Sequence, residues 1–402
     1  MSSLSGARLS FCLLRPSGVS GLFFCRQAPN IADPRTTNPG RHSYSRPMSA
    51  FAGQKQNKHF SPDLPEIGEE IQIVQSRNNL RKCITDPSLV NNILDDFVRL
   101  ENDTSSKIIM ECNPGPGVLT RAFLEAGYNV VALESKAEYL PSLKRLEEST
   151  AGQLRVFHCD FFRLDPWSEG VVKPPCMYSA ALMERLGISE VPWASGVPVK
   201  VFAVLPHAKE HNYLWRNIYF LYQRLSIYNY GRIELNLFMS ERQYRKLLAK
   251  PGDFRLYLPF PVLYSVACDV QLLHKEHIST FLSPNKRKNP DGHMCLVRIT
   301  PRRDLFSEDF SPANGKKFIN MVKQCLVQRK SRAVDRLKYW NPGNGEQMLE
   351  LLKLPKNAIT GNISPQQYKL LFEIITHSED FHEELVFDDM YSLEEERNFV
   401  PC

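Results

Sequence analysis

The chain has 402 residues and a formal charge of +6, with 43% apolar and 23% charged residues. This composition excludes a wholly disordered or collagen-like chain, and the length allows two domains with a leader or tail. No apolar run approaches the roughly 18 residues of a spanning helix, so no membrane span is expected. Residues 1–50 carry six Arg, no Lys and a single acid, Asp33, which leaves the rest of the chain close to neutral. Net charge alone therefore makes no case for nucleic-acid binding, and such a case has to rest on local patches.

In chain order, residues 1–50 also hold nine Ser. Arg-rich, Ser-rich and acid-poor is the composition of a mitochondrial transit peptide. Arg8 and Arg15 stand among Leu9, Phe11, Leu13 and Leu14, as in a cationic amphipathic helix. A secretory signal needs an unbroken apolar stretch, which Arg15 and Pro16 interrupt; a plain N-terminal tail is the other alternative. Residues 51–75 read as a polar linker. An α/β domain is expected over 76–303, with strands at Lys107–Cys112, Asn129–Glu134, Leu154–Asp160, Pro198–Leu205, Ile233–Phe238, Val262–His274 and Cys295–Ile299. Helices are expected at Gly117–Ala126, closed by Gly127, at Ala137–Glu148 and at His211–Leu225. This alternation predicts a mostly parallel, doubly wound Rossmann-like sheet. After Pro301 the periodicity turns helical, near 313–328, 346–353 and 365–376, and predicts a small helical domain over 304–376. An acidic tail, 377–402, follows. The ten Cys show no C-x-x-C spacing, which suits a reducing compartment rather than a disulfide scaffold.

The segment Ile109–Thr120, IMECNPGPGVLT, carries the most chemistry. A buried strand ends, Gly115 and Gly117 make a tight turn, and a helix begins, so a ligand is able to approach the backbone at the carboxyl edge of the sheet. A dinucleotide site would want a third glycine where Thr120 stands, and would place a pyrophosphate on the helix N-terminus. An acid, Glu111, precedes the turn instead and favours a ligand with a cationic amino group, such as S-adenosylmethionine. Glu134 closes the next strand, where an acid accepts from ribose hydroxyls. Asp160 closes the third, where it is placed to accept from an adenine amine. A single acid at a strand end is often a turn residue; three in this order argue for one crevice.

These residues carry a resemblance. ECNPGPGVLT, then LES, then HCDFF is similar to the rRNA adenine dimethyltransferase family. Met239–Leu248 with Arg255–Lys275, and Lys316–Leu337 with its basic run, extend the match to roughly residues 80–340. The resemblance implies a methyltransferase fold that binds S-adenosylmethionine through Ile84, Glu111, Gly115, Gly117, Glu134 and Asp160. With the Arg-rich leader, it is to the mitochondrial branch of that family, which implies a methyltransferase fold turned to transcription initiation. The implied partners are the single-subunit mitochondrial RNA polymerase and promoter DNA, with the mitochondrial HMG-box transcription factor and small-subunit rRNA as further candidates. The implied place is the mitochondrial matrix, at the nucleoid.

The chain also departs from the family. After the fourth strand the family reads Asn-Leu-Pro-aromatic; here stand Val204, Leu205, Pro206 and His207. Adenine N6 methylation needs the exocyclic amine held by acceptors and the base stacked on a ring. Val204 has no side-chain acceptor, and a lost acceptor costs about 10²–10³ in rate. Asn113 replaces the first glycine of the turn, and Arg81-Lys82-Cys83-Ile84 replaces a Gln-Asn-Phe-Leu element. Weak or absent methylation is expected, with no secure catalytic residue; an active rRNA dimethyltransferase is the alternative.

The run His207–His211 matches H-x-x-E-H, an inverted zinc-protease pattern, but His207 follows a strand-end proline and no metal site is expected. Lys316–Lys338 holds eight basic residues against one acid, Asp335. Arg329, Lys330, Arg332 and Arg336 fall on neighbouring turns of the expected helix and are the candidates for phosphate contact, against the alternative of a solvated face. Lys286-Arg287-Lys288 reads equally well as a nucleic-acid contact or a soluble loop. Helical spacing of Tyr213, Trp215, Tyr219 and Tyr222 favours packing for most of them.

Overall fold

The computed structural model describes residues 81–99, 108–167, 172–283, 292–340 and 345–376. The expected leader, linker and acidic tail, and Lys286-Arg287-Lys288, lie outside the described residues.

Asp86 accepts from the Leu89 N–H at 2.9 Å and caps α1 (Pro87–Arg99), where Pro87 takes the first-turn position that needs no donor. The apolar runs IIMEC and NVVALE give β1 (Ile108–Cys112) and β2 (Asn129–Glu134), with α2 (Val118–Glu125) between them. Next come α3 (Leu140–Ser149), β3 (Leu154–His158), α4 (Ser179–Leu186), β4 (Lys200–Val204) and α5 (Glu210–Gln223). The chain continues through β5 (Glu234–Ser240), α6 (Glu241–Leu247), α7 (Pro259–Ala267), β6 (Cys268–His277) and β7 (His293–Pro301).

The seven strands form one sheet in the order β3-β2-β1-β4-β5-β7-β6. β1 to β5 pair in parallel, while β7 runs antiparallel to β5 and β6 antiparallel to β7. The strand order reverses between β1 and β4. That switch point opens a crevice outside the carboxyl ends of the strands. The architecture is the Rossmann-like methyltransferase fold, with a helical C-terminal region. No helix among the described residues is long and apolar enough to cross a membrane.

One expected strand is corrected. Val262–Ala267 is helical, and the strand begins only at Cys268. A short run that is largely apolar is compatible with a buried helix as well as a buried strand. Pro259 at the helix start and burial of most of the run decide for the helix.

The sheet packs on both faces. On one side Phe97, Phe123 and Phe202 meet, with Phe97 and Phe123 ring centroids 5.3 Å apart. The other side continues into the C-terminal helices α8 (Gly315–Val327), α9 (Ala333–Trp340), α10 (Gly345–Leu351) and α11 (Pro365–Thr376). Phe318 of α8 lies 5.5 Å from Tyr222 and 5.4 Å from Phe372. Tyr222 donates to the Leu263 carbonyl at 2.8 Å, and Tyr257 to that of Ile363 at 2.7 Å. The helical region therefore shares a core with the sheet.

Candidate functional site

The parallel strands bring Glu111, Glu134, Asp160 and Val204 to one edge. Gly115 and Gly117 take φ of 61° and 77°, a region that side chains other than Asn and Asp rarely enter. A Cβ on Gly115 would stand 3.1 Å from Cys83 Sγ, and one on Gly117 3.0 Å from Leu143 Cδ2. Asn113, the replacement for the first glycine, also has a positive φ, 59°. Its side chain accepts from the Ser135 N–H at 3.2 Å, so Asn holds the turn with its own bond.

Glu111 is 3% exposed, and Thr120 Oγ1 donates to it at 2.6 Å. Burial outweighs this hydrogen bond and pushes its carboxyl up to about 7. Asp160 lies at the start of a short turn, accepts from the Phe162 N–H at 3.0 Å and sits 3.7 Å from Arg163. Burial raises its pKa despite those partners.

Glu134 is 0% exposed and fully engaged. Arg81 donates to both its oxygens, at 2.8 Å each. The Gly115 N–H donates at 3.0 Å and the Lys136 N–H at 2.7 Å. Arg81 also lies over the Tyr139 ring, 5.8 Å from its centroid. In the sequence Arg81 stands out only as part of the Arg81-Lys82-Cys83-Ile84 replacement. Its partner lies 53 residues away, and nothing in the local pattern points to it.

A cavity of about 430 Å³ opens beside this pair. Arg81, Lys82, Arg163, Lys209 and Arg216 line it against one carboxylate, Asp160. Val204, Leu205, Pro206 and His207 form the wall after β4. Tyr213 lies edge-on to Phe162 at 5.0 Å, and Arg216 lies over Tyr213 and donates to the Phe162 carbonyl. The cationic lining was not foreseen, because its members come from separate segments. Ile84, buried, borders a second hollow with Glu111, Pro114 and Leu119 that measures about 20 Å³. A hollow of that size is room for about one water.

Two of the three H-x-x-E-H residues are otherwise engaged. Glu210 accepts from the Ser240 N–H at 3.0 Å and its hydroxyl at 2.6 Å, and His211 accepts from Trp215 Nε1 at 3.0 Å. Of the four aromatics, Tyr213 and Tyr222 are buried. Trp215 and Tyr219 flank Lys323, whose Nζ lies 5.3 and 4.9 Å from their ring centroids.

The basic candidates are not on one helix. α8 ends at Val327 and α9 begins at Ala333, with Arg329, Lys330 and Arg332 between them and Arg336 on α9. Backbone bonds tie this turn to residues 358–361: Gly361 N–H to the Arg329 carbonyl at 2.8 Å, Thr360 N–H to Ser331 at 3.0 Å and Ala333 N–H to Ala358 at 2.7 Å. Lys330 and Arg332 are exposed there.

A glycine turn at a switch point, with acids at or beside the ends of three successive strands, stands on a methyltransferase fold. The chain belongs to a particular group: the ribosomal RNA adenine dimethylase family model matches residues 79–377, and this is its family. It is 39% identical over 326 residues to Mus musculus "Dimethyladenosine transferase 2, mitochondrial", covering 78% of this chain and 82% of that one. It is 36% identical over 323 residues to the Homo sapiens protein of the same name, covering 77% and 81%. A solved dimethyladenosine transferase from Plasmodium falciparum matches at 14% identity with a TM-score of 0.47, over 72% of this chain and 95% of that one.

Membership implies S-adenosylmethionine as the cofactor. The acceptors such a ligand needs are present in kind, since Glu111, Glu134 and Asp160 are carboxylates able to accept from an ammonium, a ribose diol or an adenine amine. At Glu134, however, a ribose diol would have to displace Arg81. Glu134 has no free acceptor position, and the hollow beside Glu111 holds about one water.

Proposed function

We propose that this chain acts in the mitochondrial matrix, at the nucleoid, as a transcription initiation factor on a dimethyltransferase scaffold. It would help the single-subunit mitochondrial RNA polymerase to open promoter DNA by holding a melted strand. The observation that carries this reading is the wall after β4. Val204, Leu205, Pro206 and His207 line the cavity where an adenine amine would need an acceptor, and Val204 has none to offer. The same cavity has five Lys or Arg side chains and one carboxylate, a lining that suits phosphates. The Arg-rich leader and the word "mitochondrial" in the names of the relatives support the location. The mitochondrial HMG-box transcription factor is a further candidate partner at the promoter.

The test is run-off transcription from a linear promoter with purified mitochondrial RNA polymerase. Wild type and Asp160→Ala are expected to start transcription, and the Arg329, Lys330, Arg332 and Arg336 to Ala variant is not. If wild type adds nothing to polymerase alone, this reading is wrong. The second reading, an active N6,N6-dimethyladenosine transferase of mitochondrial small-subunit rRNA, is favoured by the retained Glu111, Glu134 and Asp160.

A further inference from the structure

We propose that Arg81 controls cofactor access: its guanidinium stands in for the ribose diol at Glu134, and the pocket accepts an adenosine-bearing ligand only when that fork withdraws. The inference goes beyond the reading above and holds whether or not the chain acts at promoters.

An ionised carboxylate has about four lone-pair positions. Glu134 has all of them filled, two by Arg81 and two by the backbone N–H groups of Gly115 and Lys136. The backbone donors are fixed by the turn. Gly115 is held at a φ of 61° against Cys83, and Ser135, beside Lys136, is bound to Asn113. The Arg81 side chain is therefore the only donor able to leave without dismantling the glycine turn. Its two N–H groups lie side by side, one to each oxygen, and a vicinal diol presents its two O–H groups in the same paired way.

The rest of the segment is built to hold this side chain in place. Cys83 and Leu282 exchange two backbone hydrogen bonds of 2.9 Å, so the main chain beside Arg81 is anchored. The Arg81 side chain is 14% exposed, and its guanidinium rests on Tyr139. It is not perfectly satisfied, since its buried Nε has no partner among the described residues. The adjoining cavity gives the side chain room to swing without moving the backbone. Bidentate Arg–carboxylate pairs in a buried setting are among the stronger polar contacts, so a ribose competes at a disadvantage. Arg81 thereby selects against the family's cofactor.

The test is isothermal titration of the full chain with S-adenosylhomocysteine, comparing wild type, Arg81→Gln and Arg81→Gln/Glu134→Gln. Arg81→Gln is expected to tighten binding by roughly tenfold or more, the worth of about one charge-assisted hydrogen bond, and the double variant to lose that gain. Equal affinity in wild type and Arg81→Gln overturns the proposal, as does a gain that survives in the double variant. Arg81→Lys keeps a compensating charge over Glu134 but cannot span both oxygens. Should Arg81→Gln fail to fold, a smaller gain in Arg81→Lys supports the proposal and no gain overturns it.

Discussion

Replacing Glu111 by Gln separates the electrostatics of the glycine turn from everything else that titrates in the chain. The carboxyl is buried beneath the turn with one hydroxyl donor, Thr120, and its pKa rises from 4.5 to about 7. Below pH 4.5 folded and unfolded chains both hold the proton, and the group has no effect. Between about 4.5 and 7 the folded chain keeps a proton that the unfolded chain releases, so stability falls as pH rises. Above 7 the loss is complete, about 3 kcal/mol for a shift of this size. Gln fills nearly the same space and stays neutral throughout. Urea unfolding of both proteins from pH 5 to 8 is the assay. The stability of Glu111→Gln relative to wild type should climb by about 2–3 kcal/mol across that range, because the wild type weakens. A difference that stays flat from pH 5 to 8 refutes the reasoning, whatever its absolute value. The same proton bears on ligand binding: an ammonium group beside Glu111 favours the ionised form, so affinity for S-adenosylhomocysteine should rise with pH toward 8.

Restoring the wall after β4 by Val204→Asn with His207→Tyr, in the Arg81→Gln background, should raise methyl transfer to a small-subunit rRNA fragment by about 10²-fold or more. Labelled-methyl incorporation measures it, and equal activity in wild type would show the natural loop to be competent. Gly315→Ala should destabilise the chain by about 3 kcal/mol, read as a drop in thermal midpoint. The added Cβ would stand 2.4 Å from the Tyr222 carbonyl oxygen, where backbone meets backbone and neither side chain can turn away. Changing Arg329, Lys330, Arg332 and Arg336 to Ala should weaken single-stranded DNA binding and flatten its salt dependence by roughly 0.7 per lost phosphate contact. Fluorescence anisotropy over a salt series tests this, and an unchanged slope would remove the turn from the interface.

What could be read along the chain depended on how local the cause was. The strands β1, β2 and β4 are apolar runs covered on both faces, and the turn between β1 and α2 is announced by its glycines; both signals lie within a dozen residues. Val262–Ala267 misled because a short, largely apolar run broken only by Ser265 shows no clear period, and the two prolines just before it, Pro259 and Pro261, were the better guide. The basic stretch misled for a different reason. Its charges continue past the point where the helix stops, and the stop is set from outside, by the bonds that residues 358–361 make to Arg329, Ser331 and Ala333. The cavity lining was illegible because five cations from three stretches of chain, at 81–82, 163 and 209–216, meet only after the sheet has formed.

Acids show the same limit most sharply. Glu134 sits where a ribose-binding acid belongs, Glu210 completes an H-x-x-E-H pattern, and Glu234 opens the strand behind the site. Each has protein partners. Glu134 accepts from Arg81 and two backbone amides, and Glu210 from Ser240. Glu234 lies 3.4 Å from Arg298 and accepts from Thr300 and Asn236. A buried carboxylate left without such partners would be costly, so each of these acids has a structural role that stands apart from any ligand. An acid at a strand end is therefore not by itself the mark of a cofactor site; the donors around it decide whether a cofactor enters. At Glu134 that decision falls to Arg81, because Gly115 and Lys136 donate from backbone that the turn itself holds in place.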